Sequence, residues 1–249
     1  FNYKTGDWRG WSAFGEFDHV FHVLLTDFNA GAGNTPDKAG VYPVVADPKG
    51  SDLNQLYADY TMDDNWKFRF GRQRIVFDNQ RFVGSVAWRQ NEQTYDALTL
   101  NTKAISNTAL QYSYVSWVRR IFGQKVDAGK AKLDGHLFNA KVTLSDTWSV
   151  VPYFYYLDYD ASTNADLSTA TLGGRLAGSI NAGKGSIKLV GEAAVQSDAG
   201  NNPASYDALY WHFDVTWALE NGLSLGVGYE SLGSDNGESI STPFATLHK

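Results

Sequence analysis

Arg69, Arg72, Arg74, Arg81 and Arg89 fall in one stretch of the sequence, interleaved with Phe77, Phe82 and Trp88. Guanidinium groups are permanent charges with planar donor forks, so this stretch suits the recognition of carboxylates or phosphates. Lys67, Arg175 and Lys188 add cations, and Asp96 and Glu192 add acids, at positions expected to share a solute-contacting wall with those arginines. Rings of such side chains set the selectivity of pores. For the connection 74–93 two placements are open: a constriction with Arg74, Arg81 and Arg89 in the passage, or an external loop packed by its own aromatics with arginines paired to Asp78 or Glu92. The first is preferred.

Other constellations carry less chemistry. His19 and His22 stand three apart on an extended segment, point to opposite faces, and do not chelate one ion together. His212 and Asp214 share a face, but no serine is marked as a nucleophile beside them, so no catalytic residue is assigned and the chain is not read as an enzyme. Asp235, Asn236 and Glu238 are oxygen donors whose spacing falls short of a calcium loop; they read as ordinary turn formers, and no metal is assigned. The absence of cysteine removes disulfides, thiolate zinc sites and cysteine nucleophiles. No glycine loop opens a helix after a strand, so no nucleotide cofactor is expected. A formal charge of -6 argues against nucleic acid as a partner.

The elements that must position these residues are strands. Apolar and polar residues alternate with period 2 over eleven segments, 11–24, 53–61, 66–73, 94–100, 108–117, 135–144, 148–158, 169–180, 186–196, 206–218 and 223–232. In the tenth, Leu209, Trp211, Phe213, Val215 and Trp217 make a greasy wall and Tyr210, His212, Asp214 and Thr216 a wet one. The connections alternate too: 62–65, 101–107, 145–147, 181–185 and 219–222 are short, whereas 25–52, 74–93, 118–134, 159–168 and 199–205 are long. Short turns at one end and long loops at the other are the pattern of an outer-membrane barrel, and a Greek-key sandwich has no reason to sort its loops this way. Trp66, Trp148 and Trp217 adjoin short turns, as an interfacial girdle requires. No run approaches the length of a membrane helix, and a mean hydropathy of -0.34 is compatible with alternating strands. Residues 1–10 lack a secretion signal, either because none exists or because it was removed.

The segments Gly71-Arg72-Gln73, Arg81-Phe82-Val83-Gly84, Trp88-Arg89-Gln90-Asn91 and Thr94-Tyr95-Asp96-Ala97 resemble the signature region of the alginate export family of outer-membrane β-barrels. The ending, from Thr242-Pro243-Phe244 to Lys249, is similar to a second family segment. The resemblance implies a bacterial outer-membrane barrel of about eighteen strands with an aqueous lumen. The expected fold is therefore all-β, an antiparallel up-and-down transmembrane β-barrel with about eleven of 16–18 strands covered. Residues 1–249 are expected to be one partial barrel domain, incomplete at the C-terminus and at the N-terminus, because an odd, open sheet leaves backbone groups unpaired in hydrocarbon.

The expected function is an outer-membrane channel for hydrophilic solutes, anionic or mixed-charge, with an acidic polysaccharide such as alginate as the specific form. Lys67, Arg69, Lys141, Arg175 and Lys188 face the lumen in this reading, against Glu16, Asp18, Asp59, Asp96, Glu192, Asp214 and Glu230, so the wall is mixed rather than uniformly basic. The alternative is a closed or plugged barrel acting in surface binding or adhesion through its long loops. Expected partners are outer-membrane lipid or lipopolysaccharide and a small hydrophilic solute or polysaccharide.

Overall fold

The computed structural model describes residues 1–160 and 164–244. One antiparallel sheet holds twelve strands, each hydrogen-bonded to its neighbours in sequence: β1 (Asn2–Lys4), β2 (Trp11–Val20), β3 (Gly50–Thr61), β4 (Trp66–Gln73), β5 (Thr94–Thr102), β6 (Thr108–Arg119), β7 (Lys130–Thr143), β8 (Trp148–Tyr159), β9 (Thr169–Asn181), β10 (Gly185–Asp198), β11 (Asp207–Leu219) and β12 (Ser224–Leu232). A separate ribbon pairs β13 (Ser234–Asp235) with β14 (Glu238–Ser239). All eleven expected segments form strands. β1 is additional: three residues are too few to display a period, and they are held by register against Phe14, Gly15 and Glu16. The segment 21–24 does not extend β2, because its partner strand begins at Gly50, opposite Val20.

Alternation decides which face each side chain takes. On β11, Leu209, Trp211, Phe213 and Trp217 are exposed while Tyr210 is buried. The same exposed apolar face includes Leu172 and Leu176 on β9, Val195 on β10, and Leu225 and Val227 on β12. Water does not sustain such a continuous apolar surface, whereas hydrocarbon does. On the strands β2, β3 and β4, aromatics gather toward the short-turn end: Trp11 lies 4.7 Å from Tyr60 and 6.4 Å from Phe70, ring centre to ring centre. Trp148 lies across β9 over Gly178, where a Cβ would come within 2.2 Å of the indole.

By internal packing the chain divides into two compact units. The first comprises Phe1–Leu100 and Tyr114–Asp134 with the described residues that follow Ser241; the second comprises Asn101–Ser113 and Gly135–Ser241. In the first, buried Ile75, Phe77, Phe82, Val83 and Val86 of the connection 74–93 form a small core with Tyr95 and Phe244. Residues 245–249, the rest of the expected second family segment, lie outside the described residues.

Candidate functional site

The polar face of the first unit is built around three carboxylates in two centres, Asp59 in one and Glu16 with Glu92 in the other. On β3, Asp59 is 2% exposed and receives a bidentate pair from Arg69, Nε to Oδ1 at 2.7 Å and Nη2 to Oδ2 at 3.0 Å, with Lys67 Nζ at 2.9 Å. Register places Arg69 directly opposite Asp59, and its guanidinium also lies 3.7 Å from the centre of the Tyr57 ring. The fork is thereby fixed from below and from the side.

The second centre depends on a β-bulge. Glu16 pairs with Gln55 and Phe17 with Leu53, so Asn54 is an extra residue. Both Asn54 and Gln55 are buried and turn toward Glu16. Asn54 also donates to Glu92 Oε1 at 2.6 Å, and Arg74 N–H donates to Gln55 Oε1 at 3.1 Å, so the connection 74–93 is fastened to the polar face at both ends. Arg74 closes the network with Nε to Glu92 Oε2 at 2.6 Å and Nη2 to Oε1 at 2.5 Å. That bond to Glu92 raises the Arg74 pKa. Unlike the other paired arginines, Arg74 leaves its side chain 44% exposed.

The connection 74–93 combines features of both expected placements: it packs on its own aromatics, and it lies against the polar face. Gln93 Nε2 donates to the Gly84 carbonyl at 3.0 Å and the Phe244 carbonyl at 3.1 Å, and Gly84 N–H donates to Phe244 O at 2.7 Å. The signature region and the described part of the chain ending thus meet. Val86, a β-branched residue, is held at φ 51, a backbone conformation that persists only under such bracing. Arg89 is stacked on Trp88 and paired with Asp47 at 3.3 Å, and Arg81 follows a turn at 78–79, its N–H donating back to Asn79 Oδ1 at 3.1 Å.

In the second unit, Glu192 on β10 is 6% exposed and stands opposite Arg175 in register. It accepts from Arg175 Nη1 at 2.7 Å and from the Tyr153 hydroxyl at 3.0 Å. Tyr153 belongs to β8 and reaches β10 by lying across β9 at Gly173, where a Cβ would meet the ring at 2.4 Å. Lys188 is exposed on the same face nearer the short turns, between Ser179 and Thr216.

Arg72 and Asp96 differ from expectation. Arg72 shares the face of exposed Phe70, and Asp96 that of exposed Leu98, so both stand on the apolar side. They bind each other at 2.7 Å, joined by Arg119 at 2.6 Å. The cause is local: the connection 74–93 covers the polar face at β5, so greasy Tyr95 turns inward there and Asp96 outward. The Arg74–Glu92 pair is one that the second expected placement of the connection anticipates. Asn54 and Arg119 had no signal in the alternation, and the bulge that aims Asn54 has none either.

Comparison with known proteins places the fold and the family. Residues 26–241 match a family described as alginate export. No curated protein matches the chain. Among solved structures, OpdL of Pseudomonas aeruginosa superposes with a TM-score of 0.67 at 13% identity, over 98% of this chain and 62% of that one. OccK8 (OprE) of the same organism gives 0.64 at 14%, over 92% and 60%, and OpdK with vanillate gives 0.65 at 12%, over 98% and 62%. The chain therefore spans about 60% of the length of these structures. Its fold is that of outer-membrane porin β-barrels.

Proposed function

From the premise that the chain belongs to the alginate export family of outer-membrane proteins, we propose that it forms part of the wall of a channel for hydrophilic solutes bearing carboxylates. The polar face lines the passage, the apolar face meets lipid, the short turns are periplasmic and the long loops extracellular. The observation that carries the reading is the Arg74 network. Arg69 and Arg175 are held to well-buried acids, but Arg74 presents an accessible guanidinium, and its Nη1 has no hydrogen-bonding partner among the described residues.

A solute carboxylate can exchange with or join Glu92 at Arg74, then pass to Arg69 or Lys67 of the same unit; in the second unit Arg175 and Lys188 offer cations of the same kind. Because most of these cations already have acidic neighbours, the wall offers successive weak sites and avoids one deep trap. Conduction requires that balance. The acids Glu16, Asp59 and Glu192 limit how strongly anions are preferred. Two further facts support a carboxylate: alginate is a polymer of uronates, and the similar OpdK has been crystallised with vanillate, a carboxylate.

The test is reversal potential in planar bilayers under gradients of potassium glucuronate and potassium chloride. Arg74→Gln should shift permeability toward potassium and reduce glucuronate entry severalfold. An unchanged reversal potential and glucuronate flux in the folded variant would remove Arg74 from the passage.

A further inference from the structure

The charges on the wrong face for a pore form a cluster of their own. Arg72 is the penultimate residue of β4, Asp96 the third of β5, Arg119 the last of β6, and Lys130 and Lys132 the first and third of β7. All therefore lie within about 10 Å of the long-loop end of their strands. Two guanidiniums converge on one carboxylate: Arg72 Nε meets Asp96 Oδ1 at 2.7 Å, and Arg119 Nε and Nη2 meet Oδ2 at 3.1 and 2.6 Å. Arg72 also donates to the Leu53 carbonyl at 2.9 Å and approaches Asp52 at 3.8 Å. Trp117 lies between cations, with Arg119 at 5.2 Å and Lys130 at 6.0 Å from its ring. Lys130 and Lys132 are exposed and alternate with buried Ala131 and Leu133; Asp134 follows on their face.

A charge on the lipid-facing side is costly at the bilayer midplane and close to neutral only at the interface. A basic cluster whose deeper neighbours are Phe70 and Leu98 is suited to a ligand that is anionic at headgroup depth and apolar below it. We infer that this cluster binds a phosphate of an outer-leaflet phosphorylated glycolipid, with the guanidinium edges and Lys130 and Lys132 on the phosphate and the apolar side chains beneath on its acyl chains. A free anion would make no use of the apolar rim. The inference rests on the long loops being extracellular, as in the reading above.

The test uses native mass spectrometry of the folded protein in detergent, titrated with diphosphoryl lipid A, with lipid A stripped of both phosphates, and with inorganic phosphate. Diphosphoryl lipid A should bind, the stripped form should bind at least tenfold more weakly, and inorganic phosphate should not bind measurably. The triple variant R119Q/K130Q/K132Q should lose about tenfold in affinity for diphosphoryl lipid A, the change expected for roughly one charge-assisted hydrogen bond. If that variant does not fold, K130Q/K132Q, which alters only exposed residues, should lose at least threefold. Equal binding of the stripped lipid, tight binding of inorganic phosphate alone, or unchanged affinity in a folded variant overturns the inference. Reversal potentials of the same variants in bilayers should match those of the parent protein. A loss of lipid binding with selectivity intact, or the converse, separates this inference from the channel reading.

Discussion

Gly173→Ala tests whether the polar wall is assembled as the geometry requires. The Cβ so introduced would lie 2.4 Å from Cζ and 2.5 Å from the hydroxyl of Tyr153, so the ring must leave β9. Its bond to Glu192, 3.0 Å long, is then lost. A hydrogen bond to a charged group is worth about 1.5–3 kcal/mol, and overpacking adds about 1–3 kcal/mol. Reduced entropy of the unfolded chain returns about 0.4–1 kcal/mol, leaving a net destabilisation of roughly 2–5 kcal/mol. Urea unfolding of the protein in phosphatidylcholine vesicles, followed by tryptophan fluorescence, measures it. In a Tyr153→Ala background the ring is gone, and Gly173→Ala should become neutral or stabilise by about 0.4–1 kcal/mol. An equal penalty in both backgrounds would refute the reasoning, because the cost would then belong to the backbone of β9 rather than to the Tyr153 crossing.

Phe213→Arg, mid-strand on the apolar face of β11, should cost about 2–4 kcal/mol in the same assay, while Asp214→Asn at the same depth should cost under about 1 kcal/mol; equal penalties would refute the face assignment. Arg175→Ala leaves Glu192 buried with Tyr153 alone, and should destabilise by about 3–5 kcal/mol at neutral pH. Tyr206, just before β11, donates to Gln196 Oε1 at 3.1 Å, and burial, with Asp198 and Glu238 nearby, raises its pKa. The folded state therefore favours the neutral phenol, so its contribution is complete below about pH 10 and is lost as pH rises from there through the folded value. Tyr206→Phe should flatten the fall in urea midpoint above about pH 10, and an unchanged slope would count against it.

Strand positions were legible because the lipid-facing rule is severe: on β11 every second residue is apolar from Leu209 to Trp217, and the exposed face follows that pattern. Sorting of short and long connections was equally direct. The polar side was less legible, since it obeys a weaker rule. Asn54 turns inward because of a bulge, and nothing in its neighbours' hydropathy marks an extra residue. At β5 the rule inverts, because the connection 74–93 makes the polar face locally dry and admits Tyr95. Long-range pairings, such as Gly84 with Phe244, depend on register that no single segment encodes.

The central claim, that the polar face lines an aqueous passage and the apolar face meets lipid, is most directly tested by single-channel current under thiol modification, for which the cysteine-free sequence is a clean background. With a charged, membrane-impermeant methanethiosulfonate reagent, Lys188→Cys should show a stepwise change in conductance. Phe213→Cys, in lipid, should show none. A step at Phe213→Cys with none at Lys188→Cys, or the absence of any conductance from the folded protein, would contradict the account.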